Sequence, residues 1–271
     1  MQMREELVKI SPHLGLIFDA ALSITNLSNP LRHAFGSLAY RELFREYFAR
    51  LAPDDYVKKC CWYTPPDDVE IVSRRDRVRF AIYGYVSDAY FPTPFIDNVD
   101  RFAGEFIQKV DQLSKLVHVT ASSLETPETE QQQILNDAVD AFSRIVQTIR
   151  EAKLWFHETL TLFIQDGLNE AYWAETFSEL DELSTHTSVE GVSEVEVEID
   201  DIYENTINFS GAGRVECRLQ MGSDSDFARD NGLRWSESYP FTFSGTADVR
   251  DPGRIRIDKE DIDINTSSYY K

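Results

Sequence analysis

Arg150 and His157 have the types and the spacing of a small catalytic pair. The six residues between them amount to about two helical turns, so on a helix both fall on nearly one face. An arginine can hold a scissile phosphate while a histidine moves a proton to or from a ribose hydroxyl, and RNA can be cleaved that way without a metal. The competing reading is packing, because His157 follows Trp155 and Phe156. His118 closes Leu113-Ser-Lys-Leu-Val-His with no arginine four to six residues ahead of it, and is the weaker second histidine.

A second cluster lies in Ser73 to Gly84, where Arg74, Arg75, Arg77 and Arg79 gather in a chain of net charge -20. Guanidinium forks bind phosphate in bidentate fashion, and Phe80 and Tyr83 are near in sequence, so this stretch is a candidate local contact for nucleic acid. The alternative is internal: the same arginines can pair with carboxylates of the other domain or of a partner chain.

The third candidate is acidic. In the loop from Gly222 to Gly232, Asp224, Asp226 and Asp230 are spaced as in a calcium loop at first glance. A helix-loop-helix calcium site needs an oxygen ligand at its fifth position and glycine at its sixth, where this chain has Ala228 and Arg229. Glu216 on the preceding strand, with Asp224 and Asp226, would instead suit Mg2+, a hard ion that can activate water for phosphodiester hydrolysis. A solvated hairpin loop with Asx turns explains the same acids without a metal.

Composition limits the partners. Forty-seven acidic against 27 basic residues argue against broad binding to a phosphate backbone, which depends on Lys and Arg, so any nucleic-acid contact must be local. Adjacent Cys60 and Cys61 and the distant Cys217 have neither zinc-ligand spacing nor an even disulfide framework, as expected of a reduced, cytoplasmic protein. The amino terminus lacks the pattern of a secretory signal, and no apolar run is long enough to span a membrane.

The elements that must carry these residues are legible from periodicity. Ser11-Pro12 opens a helix with Leu14, Ile17, Phe18, Ala21 and Leu22 on one face, and Asn29-Pro30 opens a longer one ended by Pro53. In the longer helix Phe44, Tyr47 and Phe48 belong to the apolar stripe, while Arg41, Glu42 and Arg45 take the other face. Asp54 and Asp55 cap a short helix, the arginine-rich helix follows, and a polar loop from Thr120 to Glu130 separates two further helical stretches. Beyond about residue 185, Val192, Val195, Val197 and Ile199 alternate with Glu194, Glu196, Glu198 and Asp200, the period of a strand with one wet face. Further strands are expected at Thr206 to Phe209, Arg214 to Met221, Tyr239 to Val249 and Arg254 to Ile264, with Gly211-Ala-Gly213, Gly222 to Gly232 and Asp251-Pro-Gly253 as connections. The expected fold class is α+β, with an all-helical domain at 1–185 and a small antiparallel β-sheet or sandwich domain at 186–271.

Several phrases carry a family resemblance: Asn29-Pro-Leu-Arg, Tyr40-Arg-Glu-Leu-Phe, Arg50-Leu-Ala-Pro-Asp-Asp-Tyr-Val-Lys-Lys, Arg74-Arg-Asp-Arg-Val-Arg-Phe-Ala-Ile-Tyr-Gly, Leu219-Gln-Met-Gly-Ser-Asp-Ser-Asp and Ser238-Tyr-Pro-Phe. Over most of its length the chain resembles the predicted pPIWI-associating nucleases found near prokaryotic defence genes. The helical region, with its Arg-x6-His pair, is also similar to the HEPN helical ribonucleases, in which Arg-x4-6-His is the active motif. The first resemblance implies a nuclease in anti-phage defence and a protein partner from the same locus. The second implies a HEPN-like fold, catalytic roles for Arg150 and His157, and a homodimer with paired sites. A non-catalytic accessory subunit, whose acidic β domain docks a basic partner, is the alternative.

Overall fold

The computed structural model describes residues 2–65, 71–119, 126–174, 177–223, 229 and 232–270. Helices come first and a sheet follows, as the change of periodicity near residue 185 predicts. Contacts divide the chain into two compact units, Met1–Leu154 and Trp155–Lys271. The change from helix to strand comes later, between Asp181 and His186.

In the first unit, α1 (Gln2–Ile10), α2 (Pro12–Thr25), α3 (Arg32–Leu51), α4 (Asp54–Val57), α5 (Arg74–Tyr83) and α6 (Thr93–Val117) precede α7 (Glu128–Ala174), which continues past the division at residue 154. The start signals act locally as expected. Ser11 caps α2 by accepting the His13 amide at 3.3 Å, and Pro12 occupies a first-turn position where its missing N–H costs nothing. Asn29 accepts the Leu31 amide at 2.8 Å just ahead of α3. What holds the unit together is an aromatic cluster at the crossing of α3, α6 and α7. Phe142 lies 4.4 Å from Phe44 and 4.9 Å from Tyr47, ring to ring, and Phe106 lies 5.4 Å from Phe44. These rings alternate between tilted and edge-on packing, the arrangements their quadrupoles favour.

The second unit contains the end of α7, then α8 (Ser178–Asp181), and one antiparallel sheet of β1 (His186–Ile202), β2 (Thr206–Met221), β3 (Leu233–Asp248), β4 (Asp251–Arg256) and β5 (Ile262–Ile264). The order is β1-β2-β3-β4, with β5 also pairing with β3. Inward residues of β2 and β3, among them Ile207, Phe209, Val215, Tyr239, Phe241 and Phe243, are buried. The end of α7 buries Leu160, Ile164 and Leu168, and its Asn169 side chain accepts the Val192 amide of β1 at 3.3 Å.

Two expected strands prove to be one. Gly211-Ala-Gly213, read above as a hairpin connection, lies in the middle of β2, with Gly211 opposite Phe243 and Gly213 opposite Phe241. Gly245 of β3 faces Phe209 in the same way. A Cβ on Gly211 would lie 2.5 Å from the Phe243 ring, and one on Gly245 would lie 2.7 Å from the Phe209 ring. The glycines are there so that three rings can lie flat across the ladder, not to turn the chain. The expected strand from Arg254 to Ile264 is split into β4 and β5 by a 3-10 turn at Lys259–Asp261.

Candidate functional site

The arginine helix α5 starts on a complete capping box. Ser73 Oγ accepts the Asp76 amide at 3.1 Å, and Asp76 accepts the Ser73 amide at 3.3 Å, so two first-turn donors are satisfied reciprocally. This fixes where the helix starts, and each of its four guanidinium groups meets a carboxylate of its own unit. Arg74 pairs with Asp111 at 2.8 Å, Arg75 with Asp100 at 2.9 Å, Arg77 with Asp54, and Arg79 with Asp88 at 2.5 Å. Arg77 also donates to the Ala52 carbonyl at 2.9 Å, and Arg79 stacks on Trp62 with its guanidinium carbon 4.5 Å from the ring centroid. Arg77 and Arg79 therefore tie α5 to α4 and to the chain after it. Arg74 and Arg75 sit in exposed pairs, which contribute little and can exchange one anion for another.

Arg150 belongs to the first unit and is exposed. It lines a cleft of about 540 Å³ with Met3, Glu6, Ser143, Gln147 and Glu151. Among the described residues no carboxylate lies within ion-pair distance of its guanidinium. The adjacent Glu151 accepts the Gln147 amide at 2.7 Å instead. Glu6 is held below its ordinary carboxylate range, first by a 2.7 Å hydrogen bond from Lys9, with Lys9 and Arg150 adding favourable charge. Arg150 thus presents a donor fork to a cleft whose nearby acid is already satisfied.

His157 belongs to the second unit and is likewise exposed, so it is not a packing residue. Its Nε2 lies 3.1 Å from the Val197 carbonyl of β1. A carbonyl can only accept, so Nε2 carries the hydrogen and Nδ1 of the neutral ring is left as the acceptor. The ring is oriented by one nitrogen and can take a proton with the other. His118 caps the end of α6 and is exposed.

Glu216 is exposed on β2, opposite Gly191 and Ser238. Asp224, Asp226 and Asp230 lie outside the described residues. Among the described residues no three His, Cys, Asp or Glu side chains are grouped to hold a metal. Cys60 and Cys217 are buried, and burial pushes both thiols up to about 12, which makes them poor nucleophiles. Among the described residues no helix is long and apolar enough to cross a membrane.

The acidic face of β1 is as expected, with Glu190, Glu194, Glu196, Glu198 and Asp200 exposed on an edge strand. The register shifts between Ser193 and Glu196, and Glu194 there has φ 51°. A left-handed non-glycine residue costs about 1–2 kcal/mol, and the resulting kink with its charges discourages edge pairing. Arg41 and Arg45 of α3, placed above on a polar helix face, also line a cleft that the sequence reading did not single out. Their i, i+4 spacing was the available signal.

Residues 7–142 match one family model and residues 149–270 a second, each described as "Predicted pPIWI-associating nuclease". The break between the two matches falls close to the division between the two compact units. No curated protein and no solved structure matches the chain.

Proposed function

The chain belongs to the predicted pPIWI-associating nuclease family, and on that premise we propose that it is a nuclease that cuts RNA or DNA phosphodiester bonds in anti-phage defence. The observation that carries the reading is His157: an exposed imidazole, oriented through Nε2 by the Val197 carbonyl, with Nδ1 left to accept a proton. Arg150, which lines its cleft without an ion-pair partner among the described residues, is the phosphate-holding group of the same proposal. On an RNA substrate Nδ1 would take the proton of the ribose 2'-hydroxyl as its oxygen attacks phosphorus. The bond from phosphorus to the 5'-oxygen of the next nucleotide breaks, that oxygen leaves as a hydroxyl with a proton from the imidazolium or from water, and a 2',3'-cyclic phosphate remains. The role proposed for the guanidinium is to offset the charge gathering on the phosphate oxygens. The reading includes a HEPN-like role for the helical region, a cytoplasmic setting, a homodimer and a protein partner from the same locus.

The test is cleavage of labelled single-stranded RNA and of single- and double-stranded DNA by the full chain, with Mg2+ and with EDTA. His157→Gln and Arg150→Gln are each expected to lower the rate by about a hundredfold or more, the usual range for a proton-transfer or charge-stabilising group. Activity that survives EDTA and is lost with His157 supports this site. Activity that needs Mg2+, is lost in Asp224→Ala/Asp226→Ala and is kept in His157→Gln would move the chemistry to the metal reading through Glu216.

A second reading is favoured by β1, whose exposed acids lie on an edge strand. Under it the chain is an accessory subunit and the acidic face docks a basic partner. Absence of cleavage under every condition, together with salt-sensitive capture of the partner that is lost when Glu194, Glu196 and Glu198 are changed to Gln, would select it.

A further inference from the structure

A cleft of about 370 Å³ in the first unit is walled by four arginines, Arg41 and Arg45 of α3 and Arg74 and Arg77 of α5. Among the described residues that line it, Glu42 is the one that bears a carboxylate. In a chain of net charge -20 this is a local reversal of sign. The floor is apolar: Phe44, Phe48 and Phe106 close it, and all three are nearly buried. The cleft shares no lining residue with the one at Arg150.

The four guanidinium groups differ in how firmly they are held. Arg77 is fixed by Asp54 and the Ala52 carbonyl. Arg45 and Arg74 pair with Glu42 and Asp111 through side chains that are largely exposed, so water screens those pairs and an incoming anion can replace the carboxylate. Arg41 has no hydrogen-bond or ion-pair partner among the described residues. Arg41, a half-buried residue beside an apolar floor and without an acceptor among the described residues, is poised for an anion brought from outside.

We propose that this α3–α5 cleft binds a nucleoside phosphate, with Arg41, Arg45 and Arg74 taking the phosphate and the apolar floor taking the base. The volume is at the lower end of small-molecule sites, roughly 300–1,000 Å³, and suits one nucleotide unit. A guanidinium fork matches two phosphate oxygens, whereas the floor adds little for a bare inorganic anion. The source is a free nucleotide or the phosphorylated end of a strand, which present the same chemistry. The inference does not depend on cleavage by His157.

The test is calorimetric titration of the full chain with AMP, adenosine and inorganic phosphate at low and at physiological salt. Saturable AMP binding is expected, tighter than either fragment and weaker at higher salt. Arg41→Gln should weaken it about tenfold, and Arg41→Gln/Arg45→Gln further, since each guanidinium removed loses a charge-assisted contact. Arg41→Gln breaks no ion pair among the described residues, so an unchanged melting temperature shows that the fold is kept; Arg256→Gln, in the other unit, should bind as wild type. Competition by a short strand with a terminal phosphate, but not by its hydroxyl-ended counterpart, assigns the ligand to a strand end; no competition by either assigns it to the free nucleotide. Absence of saturable AMP binding, affinity unchanged in the double variant, or phosphate binding as tightly as AMP would overturn the proposal. AMP binding retained in His157→Gln separates this site from the cleavage reading, so either can fail alone.

Discussion

The two units bury phenylalanine in opposite ways. In the first, Phe44, Phe48, Phe106 and Phe142 pack on one another where helices cross, and each ring has other rings as neighbours. In the second, Phe209, Phe241 and Phe243 each lie over a glycine of the neighbouring strand. A helix crossing brings side chains together from several directions, so large residues fill the space. A ladder holds opposed residues within about 5 Å, so a ring lying flat across it requires that the opposite position carry no side chain. The first core is therefore sensitive to removal of atoms, the second to their addition as well.

The largest effect should come from emptying the helical core. Phe142 is 1% exposed and contacts rings from both α3 and α6. Phe142→Ala is expected to cost about 3–5 kcal/mol, the transfer term plus the cavity left behind. Urea unfolding measures the loss, and hydrogen exchange should show it in α3 and α6. Protection lost in β2 and β3 instead would break the comparison.

The next effect comes from filling a glycine of the ladder. Gly211→Ala drives a methyl into the Phe243 ring and the Glu196 carbonyl. Neither can move far, because Phe243 is 3% exposed and Glu196 is paired with Ala212 of β2. A cost of about 1–3 kcal/mol is expected from overpacking. Gly211→Ala combined with Phe243→Leu, which shortens the opposing side chain, should recover part of it; equal instability of the single and double variants would show that the carbonyl contact decides.

The same contrast explains what could be read from the sequence. The helices were legible because their signals are local: Ser11 and Pro12 start α2, and Asn29 with Pro30 stands just ahead of α3. The alternating acids of β1 were legible for the same reason. Gly211-Ala-Gly213 was misread because glycine marks both a turn and a close approach, and only the residue across the ladder, Phe243, distinguishes them. The arginine cluster was legible as charge but not as surface. Its partners Asp54, Asp88, Asp100 and Asp111 come from separate segments, and their arrival depends on the packing of α4, α6 and the 3-10 turn Asp88–Tyr90 against α5. The candidate site divides in the same way. The Arg150 and His157 residue types stand in the chain, but the Val197 carbonyl that fixes the imidazole lies forty residues from His157, where no local signal marks it.

The smallest effect has the opposite sign and tests the comparison most directly. Gly104, in the middle of α6, is exposed, and a Cβ there would meet nothing within 4 Å. Its backbone is helical, so a side chain introduces no strain, and Gly104→Ala removes only the conformational freedom that glycine loses on folding. A gain of about 0.5–1 kcal/mol is expected, seen as a higher urea midpoint with unchanged slope. Thus one substitution type, glycine to alanine, should stabilise the helical unit and destabilise the sheet unit, with the sign set by what lies opposite the new methyl. A loss of stability in Gly104→Ala would mean that this face of α6 is covered in solution, and a melting temperature that depends on protein concentration would identify the cover as a second copy of the chain.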